Sequence, residues 1–478
     1  MKYLLLFLIL FLTACSKSET NKNLPNIIFI MADDLGYGDL GCYGQEKMAT
    51  PHIDSLATEG IRFTQAYAGG PVCTPSRCVL MTGLHNGHTV ARDNVPHYDT
   101  YLKNEDVTIA EILQEAGYRC GGIGKWSLGD PGTEGDATNQ GFDMWYGYQN
   151  QDHAHYYFPE YLDDSDSPSG RAEFPGNSKT RLVYSHDAMT ERALSFIKDS
   201  EGKPFFLYAA YTVPHFANKN EDPDGLAVPS LEPYADKPWS LAARKYAVMV
   251  AKLDNDVGRI VDLLDELGLS ENTLIIFTSD HGPLASGPAD ELDSNGPLRG
   301  AKRTLYEGGL RVPLIARWPG EIPANKVSDK IITFWDMLPT FAEIVGNRVE
   351  DRGEKRAVGN SESSVTPVDG ISVLDSLKGG SQKAAHDYLY WDYGHCRKRY
   401  DQAVRIGDWK GIRLGLDSPI ELYDLTTDLS ETRDVSNDNP EVVDEIERIL
   451  DSAATPNNRY TVGELYTGSP IWQRTDHW

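Results

Sequence analysis

The stretch Cys73-Thr74-Pro75-Ser76-Arg77 places a nucleophile, a turn former and a cation within five residues. A cysteine beside an arginine is a candidate catalytic nucleophile with its own positive charge. The same residues also suit a solvated turn that opens a helix, and so short a motif does not choose between the two. The choice depends on whether the rest of the chain supplies the groups that such a nucleophile needs.

Two apolar runs end in side chains that could bind a cation: Asp33 and Asp34 follow residues 27–32, and Asp280 and His281 follow the run at residues 273–278. Continuous apolar runs predict strands buried on both faces, and ligands of α/β sheets lie beyond the carboxyl ends of such strands. Three carboxylates at one sheet edge need a cation, and oxygen ligands suit Ca²⁺, with Mg²⁺ as the smaller alternative. Otherwise, each acidic pair caps a following helix or turn.

Further apolar runs and helical patterns indicate an α/β fold. They predict strands at Tyr118–Gly124 and Phe205–Tyr211, leading to Lys125 and His215, and helices at Thr108–Ala116 and Ala243–Leu267. Strands that alternate with helices favour a layered architecture with a large, mainly parallel sheet covered by helices.

The last part of the chain differs in pattern. Residues from about Val349 to Thr366 are polar and charged, which predicts a surface loop or insertion. From about Asp387, short strand-like pieces alternate with turns, and Glu441–Leu450 has a helical pattern. We therefore expect a small C-terminal antiparallel sheet with a helix.

Several segments together resemble type I sulfatases, which depend on formylglycine and belong to the alkaline-phosphatase-like superfamily. They are the pattern Cys-x-Pro-Ser-Arg-x-x-Leu-x-Thr-Gly from Cys73 to Gly83, the Gly-x-Lys at Gly300–Lys302, and the Glu-Gly-Gly-x-Arg-Val-Pro at Glu307–Pro313. They occur in family order, and the match covers the mature chain almost end to end. The resemblance implies an alkaline-phosphatase-like sandwich.

The resemblance also implies roles for individual residues. A maturation enzyme would oxidise Cys73 to formylglycine, the nucleophile, and Arg77 would orient it. Lys125 and Lys302 would bind sulfate oxygens, and His215 would protonate the leaving alcohol. The calcium ligands would be Asp33, Asp34, Asp280, His281 and an oxygen of modified Cys73.

One position departs from the family pattern. The usual Gly-Lys-Trp-His-Leu-Gly is Gly-Lys-Trp-Ser-Leu-Gly here, so Ser127 replaces a histidine that assists proton transfer. Serine is no base at neutral pH without help. We hypothesise that His153 or His155 takes the role. The alternatives are that these aromatic-flanked histidines serve packing, or that activity is impaired.

The substrate contacts are less sharply defined by the sequence. His85, His88, Arg92 and Asn94 follow the nucleophile, and Tyr393, His395 and Arg397 lie near the C-terminus; both sets suit a sugar pocket or a solvated rim. Similar bacterial lipoprotein sulfatases act on polysaccharides, so an exo-acting enzyme on a sulfated carbohydrate is expected. A phosphatase or phosphodiesterase of the same superfamily and a non-catalytic sulfated-glycan binding protein are the alternatives.

The N-terminus indicates export. Lys2, an apolar run from Leu4 to Leu12 and the sequence Leu-Thr-Ala-Cys resemble a bacterial lipoprotein signal with Cys15 lipidated; an ordinary signal peptide is the alternative. We expect a signal at residues 1–14, a lipidated tether at 15–24, a catalytic domain at 25–375 and a C-terminal subdomain at 376–478. The protein would be lipid-anchored in the cell envelope, touching the membrane only through Cys15.

Composition limits the partners. The 478 residues carry 45 Lys and Arg against 71 Asp and Glu, a formal net charge of −26. Nucleic acid is thereby disfavoured, and an anionic substrate must be held by local cations. The cysteines left over, Cys42, Cys78, Cys120 and Cys396, could form two disulfides in three ways, but their irregular spacing favours thiols.

Overall fold

The computed structural model describes residues 24–94, 102–200, 202–217, 222, 225–285, 287–352, 355–359, 366–382, 384–395, 397 and 399–457. The expected signal segment, the tether up to residue 23, Cys15 and Cys396 lie outside these residues. The domain boundary between residues 375 and 376 stays a prediction. Within the described residues, no helix combines the length and the apolar character needed to cross a membrane.

The strands of the described residues are β1 Asn26–Ala32, β2 Ile61–Tyr67, β3 Arg119–Lys125, β4 Met144–Tyr148, β5 Tyr161–Asp164, β6 Arg171–Glu173, β7 Phe205–Ala210, β8 Thr273–Ser279, β9 Arg311–Arg317, β10 Lys326–Thr333, β11 Arg348–Arg352, β12 Lys355–Gly359, β13 Thr366–Val368, β14 Leu389–Tyr393, β15 Asp401–Ile406, β16 Trp409–Leu414 and β17 Ile420–Asp424. The α-helices are α1 Pro51–Glu59, α2 Cys73–Thr82, α3 Ile109–Glu115, α4 Asn177–Thr180, α5 Ser185–Asp199, α6 Leu241–Glu266, α7 Pro288–Glu291, α8 Glu307–Leu310, α9 Met337–Ile344, α10 Leu374–Leu377 and α11 Pro440–Ser452.

A ten-stranded sheet forms the centre, in the order β10-β2-β9-β8-β1-β7-β3-β4-β5-β6. The five neighbours from β8 to β4 are parallel, as are β10 and β2, whereas β9 runs antiparallel to both of its neighbours and β5 and β6 form an antiparallel edge. The expected large, mixed and mainly parallel sheet is confirmed.

Both faces of the sheet are covered, which explains the continuous apolar runs. All seven residues of β1 are buried, and alternate ones join opposite cores: Phe29 packs with α2, α3 and α9, and Ile30 packs with α1, α5 and α6. Two of the helices begin at residues whose side chains cap them. Thr108 and Glu111 form a reciprocal capping box at α3, and the Ser240 hydroxyl accepts the Ala243 N–H at α6.

The C-terminal part forms the expected antiparallel sheet, β14-β15-β16-β17, with α11 packed on it through Ile446 and Leu450. The expected surface loop from Val349 to Thr366 is wrong in part. Most of its described residues belong to a three-stranded antiparallel sheet, β11-β12-β13, in which Val358 of the segment and Val368 just beyond it are buried in the main core. Within this charged segment the buried apolar residues of β12, Ala357 and Val358, are adjacent, so their burial produces no alternating pattern in the sequence.

The cysteines within the described residues support the thiol interpretation. Cys42, Cys78 and Cys120 form no disulfide. Cys78 and Cys120 are fully buried among apolar side chains, as small hydrophobic residues often are.

Candidate active site

Cys73 is the first residue of α2, at the carboxyl edge of the central sheet. Val72 before it is extended, and Ser76 ties the helix start to β8 by donating its hydroxyl hydrogen to the Asp280 carbonyl at 2.5 Å. The Thr74 N–H, left free by the helix start, donates to Asn94 Oδ1 at 2.9 Å. These bonds fix the direction of the fully buried Cys73 side chain.

The tips of β1 and β8 meet Cys73. Its Sγ lies 3.6 Å from Asp33 Oδ1 and 3.4 Å from His281 Nε2, and His281 Nε2 lies 3.4 Å from Asp34 Oδ1. One donor atom from each of these four residues lies within 4.8 Å of all the others. Asp280 joins from behind, since its Oδ1 accepts the Asp34 N–H at 3.2 Å and lies 3.4 Å from His281 Nε2.

This cluster fits a hard divalent cation. Asp34 Oδ2 is buried and accepts no hydrogen bond within the described part of the chain, so a donor atom is available for an ion. Burial raises the pKa of Asp34, and the charge of Lys302 only partly opposes this rise. At His281, burial lowers the pKa, but the neighbouring Asp280 and Cys73 raise it by more, to about 9. Oxygen ligands with one imidazole are compatible with Ca²⁺.

Three cations lie against the carboxylates. Lys125 Nζ contacts Asp33 Oδ2 at 2.7 Å, and Lys302 Nζ lies 2.6 Å from Asp34 Oδ1 and 3.7 Å from Cys73 Sγ. Arg77 donates to Asp280 Oδ2 at 2.8 Å and to the Lys125 carbonyl at 2.6 Å. Burial alone would raise the pKa of both Asp33 and Cys73, but these charges outweigh it and lower both.

Two histidines line the same space. His215 Nε2 lies 3.7 Å from Asp34 Oδ2, and the rings of His155 and His215 meet edge to face with centroids 4.9 Å apart. Burial and, after it, the charge of Lys302 lower the pKa of His215 well below its usual value. Burial and, after it, the charge of Lys125 lower the pKa of His155 to about 3. Both imidazoles are therefore neutral near pH 7.

The structure separates the two proposed replacements for the missing histidine. His153 packs between Tyr148 and Tyr161, at ring distances of 4.9 and 4.3 Å, and does not line the cleft. Ser127 has a left-handed backbone, with φ of 64°, and donates its hydroxyl hydrogen to Gln151 Oε1 at 2.6 Å. Gln151 lines the cleft with His155, so the space beside Ser127 is filled by a glutamine.

The reactive cluster opens into a cleft of about 160 Å³. Its polar lining consists of Asp34, Asn94, Gln151, Asp152, His155, His215, Lys302, Arg303 and Arg397. Two of the sequence-predicted substrate residues, Asn94 and Arg397, thus lie there. Gln151 and Arg303 were not anticipated, although Arg303 adjoins Lys302 in a segment whose positive charge was visible in the sequence.

The structure places the other predicted substrate residues away from this cleft. Arg92 is buried and donates to the carbonyls of Thr89 and Thr455. His395 is buried 3.2 Å from Asp392 Oδ2. His85 and His88 stack on each other beside Asp369, beyond the C-terminal end of α2. These residues lie near Cys73 or Arg397 in the sequence, but sequence proximity does not show that the backbone leads them away from the cleft.

Comparisons with known proteins agree with this geometry. The Sulfatase family model matches residues 25–347, and the model of the N-sulphoglucosamine sulphohydrolase C-terminal region matches residues 300–455. The chain is 33% identical over 405 residues to N-acetylgalactosamine-6-sulfatase of Canis lupus familiaris, covering 81% of this chain and 71% of that protein. It is 30% identical over 535 residues to N-acetylgalactosamine-6-O-sulfatase of Bacteroides thetaiotaomicron, covering 93% of this chain and 97% of that protein. The solved structure of Ps i-CgsB in complex with k-i-k-neocarrahexaose is similar with a TM-score of 0.76 at 28% identity, covering 93% of this chain and 95% of that one.

Proposed function

Because the chain belongs to the sulfatase family, we propose that it hydrolyses a sulfate ester of a carbohydrate, with formylglycine made from Cys73 and a bound Ca²⁺. The single observation that carries the proposal is the convergence of Cys73 with Asp33, Asp34 and His281, whose donor atoms lie within 4.8 Å of one another. A phosphatase with two metal ions would need a fuller ligand set.

Asp33, Asp34, Asp280, His281 and an oxygen of residue 73 would hold the calcium ion, which would supply positive charge for the reacting sulfate ester. Formylglycine, once formed by a maturation enzyme, supplies the hydroxyl nucleophile of its hydrated aldehyde. The location of Cys73 Sγ, 3.4 Å from His281 Nε2, supports both assignments.

The chain's own cations bind and orient the ester. Two contacts support this role: Lys302 Nζ lies 3.7 Å from Cys73 Sγ, and Lys125 Nζ is paired with Asp33 in the same cluster. Both lysines would neutralise the charge that develops on the sulfuryl oxygens. Arg77 is completely buried and bonded to Asp280 and to the Lys125 carbonyl. It orients residue 73 and the carboxylates rather than the substrate.

Two histidines move the protons. Bound sulfate places negative charge beside His215 and favours its protonated form, so that His215 can protonate the leaving alcohol. His155 is neutral and lies against His215, so it can accept the proton of the second hydroxyl of hydrated residue 73. Loss of that proton would release the sulfate and restore the aldehyde, a task that Ser127 cannot perform.

A sulfated carbohydrate is the substrate class that the comparisons support. Relatives named N-acetylgalactosamine-6-sulfatase and a structure in complex with k-i-k-neocarrahexaose both point to sulfated sugars. The cleft of about 160 Å³ is small beside ordinary ligand pockets of roughly 300–1,000 Å³. A cleft of this size favours a single terminal sugar and therefore exo-acting desulfation.

We also propose a location for the enzyme, on the basis of its N-terminal sequence. The apolar run from Leu4 to Leu12 before Cys15 supports export and lipid attachment at Cys15, which would anchor the enzyme in the bacterial cell envelope.

The test couples chemistry to turnover. Mass spectrometry of the peptide containing residue 73, after expression with a maturation enzyme, should show an aldehyde in place of the thiol. The mature protein should release sulfate from N-acetylgalactosamine 6-sulfate, and Cys73→Ala should not. Faster release of phosphate than of sulfate from matched esters would favour the phosphatase alternative, and tight binding without turnover would favour the glycan-binding alternative.

A further inference from the structure

The cleft carries more positive charge than one sulfate group requires. Lys302 lines its floor, paired with Asp34 at 2.6 Å, and Lys125 is buried behind it, paired with Asp33 at 2.7 Å. Nearer the solvent, Arg303 and Arg397 line the same cleft. In a chain with a net charge of −26, two further guanidinium groups at one opening are a local exception to the field of the whole protein.

Arg303 occupies a backbone position that favours glycine. The Thr304 N–H donates to the Ala301 carbonyl at 3.0 Å, so Ala301–Thr304 form a turn, and Arg303 is its third residue with φ of 73°. A positive φ at this position is the mark of a type II turn, in which glycine avoids the strain that a side chain causes. Arg303 is exposed, and among the described residues it forms no ion pair.

Arg397 is held rigidly on the cleft wall. Its guanidinium makes a bidentate pair with Asp93, at 3.0 and 2.9 Å, and lies 4.9 Å from the centre of the Tyr393 ring. Asp93 is fully buried, so the arginine direction is fixed from behind. Burial and the charge of Asp93 raise the pKa of Tyr393, and the charges of Arg397, Arg303 and Lys302 oppose this rise. All three cations therefore lie close enough to Tyr393 to act on the same side chain.

We propose that Arg303 and Arg397 form an anion subsite that binds a second negatively charged group of the substrate, a sulfate or a carboxylate, beside the ester that is cleaved. The inference rests on the proposed sulfatase function. Guanidinium groups bind both oxyanions through paired hydrogen bonds, and a strained, unpaired arginine next to the sulfate-binding lysine provides such donors. The preferred substrate is therefore a sulfated sugar that carries another anionic group.

The experiment measures affinity without turnover, using calorimetry on the full chain with Cys73→Ser in calcium buffer. The ligands are N-acetylgalactosamine 6-sulfate, its 4,6-disulfate, and the 6-sulfate linked to glucuronate. Arg303→Gly should weaken binding of one or both doubly anionic ligands roughly tenfold, and binding of the monosulfated sugar by much less. Arg303→Lys should restore part of the loss.

Arg303→Gly should also leave the melting temperature unchanged or raise it, because glycine relieves the backbone strain. Arg433→Ala is the matched control, since Arg433 is 78% exposed and away from the cleft, and it should change no affinity. A disulfate effect identifies a second sulfate, and a glucuronate effect identifies a carboxylate. Equal losses for all three ligands, or no loss for any, would overturn the subsite.

The outcome is separable from the proposed function. Sulfate release by the mature wild-type enzyme, measured in parallel, tests the sulfatase activity alone. Intact turnover with no charge selectivity removes only the subsite, and charge-selective binding with no turnover removes only the enzymatic activity.

Discussion

The imidazole rings of His155 and His215 meet edge to face inside the cleft, with centroids 4.9 Å apart. His215 Nε2 lies 3.7 Å from Asp34 Oδ2. His155 lies in the short helical turn His153–His155, and the sequence left open which of its two histidines replaces the one missing at Ser127. A pair of neutral imidazoles beside one nucleophile can divide the proton transfers of a hydrolysis between them.

His155→Ala should therefore lower kcat roughly 10²- to 10⁴-fold with little change in KM, because the proposed general base is lost while Lys125 and Lys302 remain. The measurement is steady-state sulfate release over a range of pH. His153→Ala is the matched control from the same turn, because its ring packs between Tyr148 and Tyr161, and it should retain kcat within a fewfold. Equal losses in the two variants would contradict the assignment.

Asp34→Asn should weaken Ca²⁺ binding by more than roughly tenfold, because the charge of the ligands sets the affinity and Asp34 supplies the buried oxygen without a hydrogen bond. Wild-type protein should gain melting temperature as Ca²⁺ is added after chelation, and Asp34→Asn should gain much less. Asp369→Asn changes the separate cluster with His85 and His88 and is the control. If it abolished the calcium response instead, the ion would bind there.

The C-terminal subdomain is attached to the catalytic part through a buried cation. Lys410 Nζ lies 2.8 Å from Glu307 Oε1 and 3.0 Å from Glu431 Oε1, and all three side chains are completely buried. Lys410→Met should reduce the free energy of unfolding by about 3–5 kcal/mol, because two carboxylates lose their buried partner. Urea denaturation measures the change. Arg433→Met, at an exposed pair, should cost under about 1 kcal/mol, and a similarly small loss at Lys410 would contradict the argument.

The strands that carry the site were predictable because burial on both faces produces continuous apolar runs. The predicted limits of β1, β3, β7 and β8 agree with the structure to within one residue. Because parallel strands end at one edge of a sheet, the sequence also predicted that Asp33 and Asp280 lie together, whereas the role of Lys125 came from the family resemblance. The same reasoning could not place His395, whose position depends on packing between distant segments.

β9 shows what the sequence concealed. Its Pro313 argues against an inner strand because proline has no N–H to donate, yet β9 pairs with both β2 and β8. The register of β2 shifts between Phe63 and Ala66, opposite this proline, so that the ladder tolerates the missing donor. Likewise, Arg303 lies at the cleft because its backbone is left-handed within the turn Ala301–Thr304, a conformation that no pattern of residue types predicts.

The free energy of unfolding should depend on pH through two buried carboxyl groups, those of Glu307 and Glu431, and it should decrease both in acid and as the pH rises through 7. Burial raises the pKa of both carboxyl groups. At Glu307 the charges of Lys410, Arg311 and Arg405 outweigh burial and lower the pKa from 4.5 to about 2. At Glu431 burial outweighs the charge of Lys410, and the pKa rises from 4.5 to about 7. The depressed pKa of Glu307 contributes stability above pH 4.5, which is lost as the pH falls toward 2. The raised pKa of Glu431 contributes stability that is complete below pH 4.5 and is lost as the pH rises through 7.

Urea denaturation of the wild type, Glu307→Gln and Glu431→Gln from pH 3 to 9 separates the two contributions, because the difference from wild type isolates each group. Glu307→Gln should be less stable than wild type near neutral pH, and the difference should shrink as the pH falls below 4.5. Glu431→Gln should gain on the wild type as the pH rises through 7, since the amide stands in for the protonated acid. Difference curves that stay flat with pH would show that neither carboxyl titrates differently in the folded and unfolded chains.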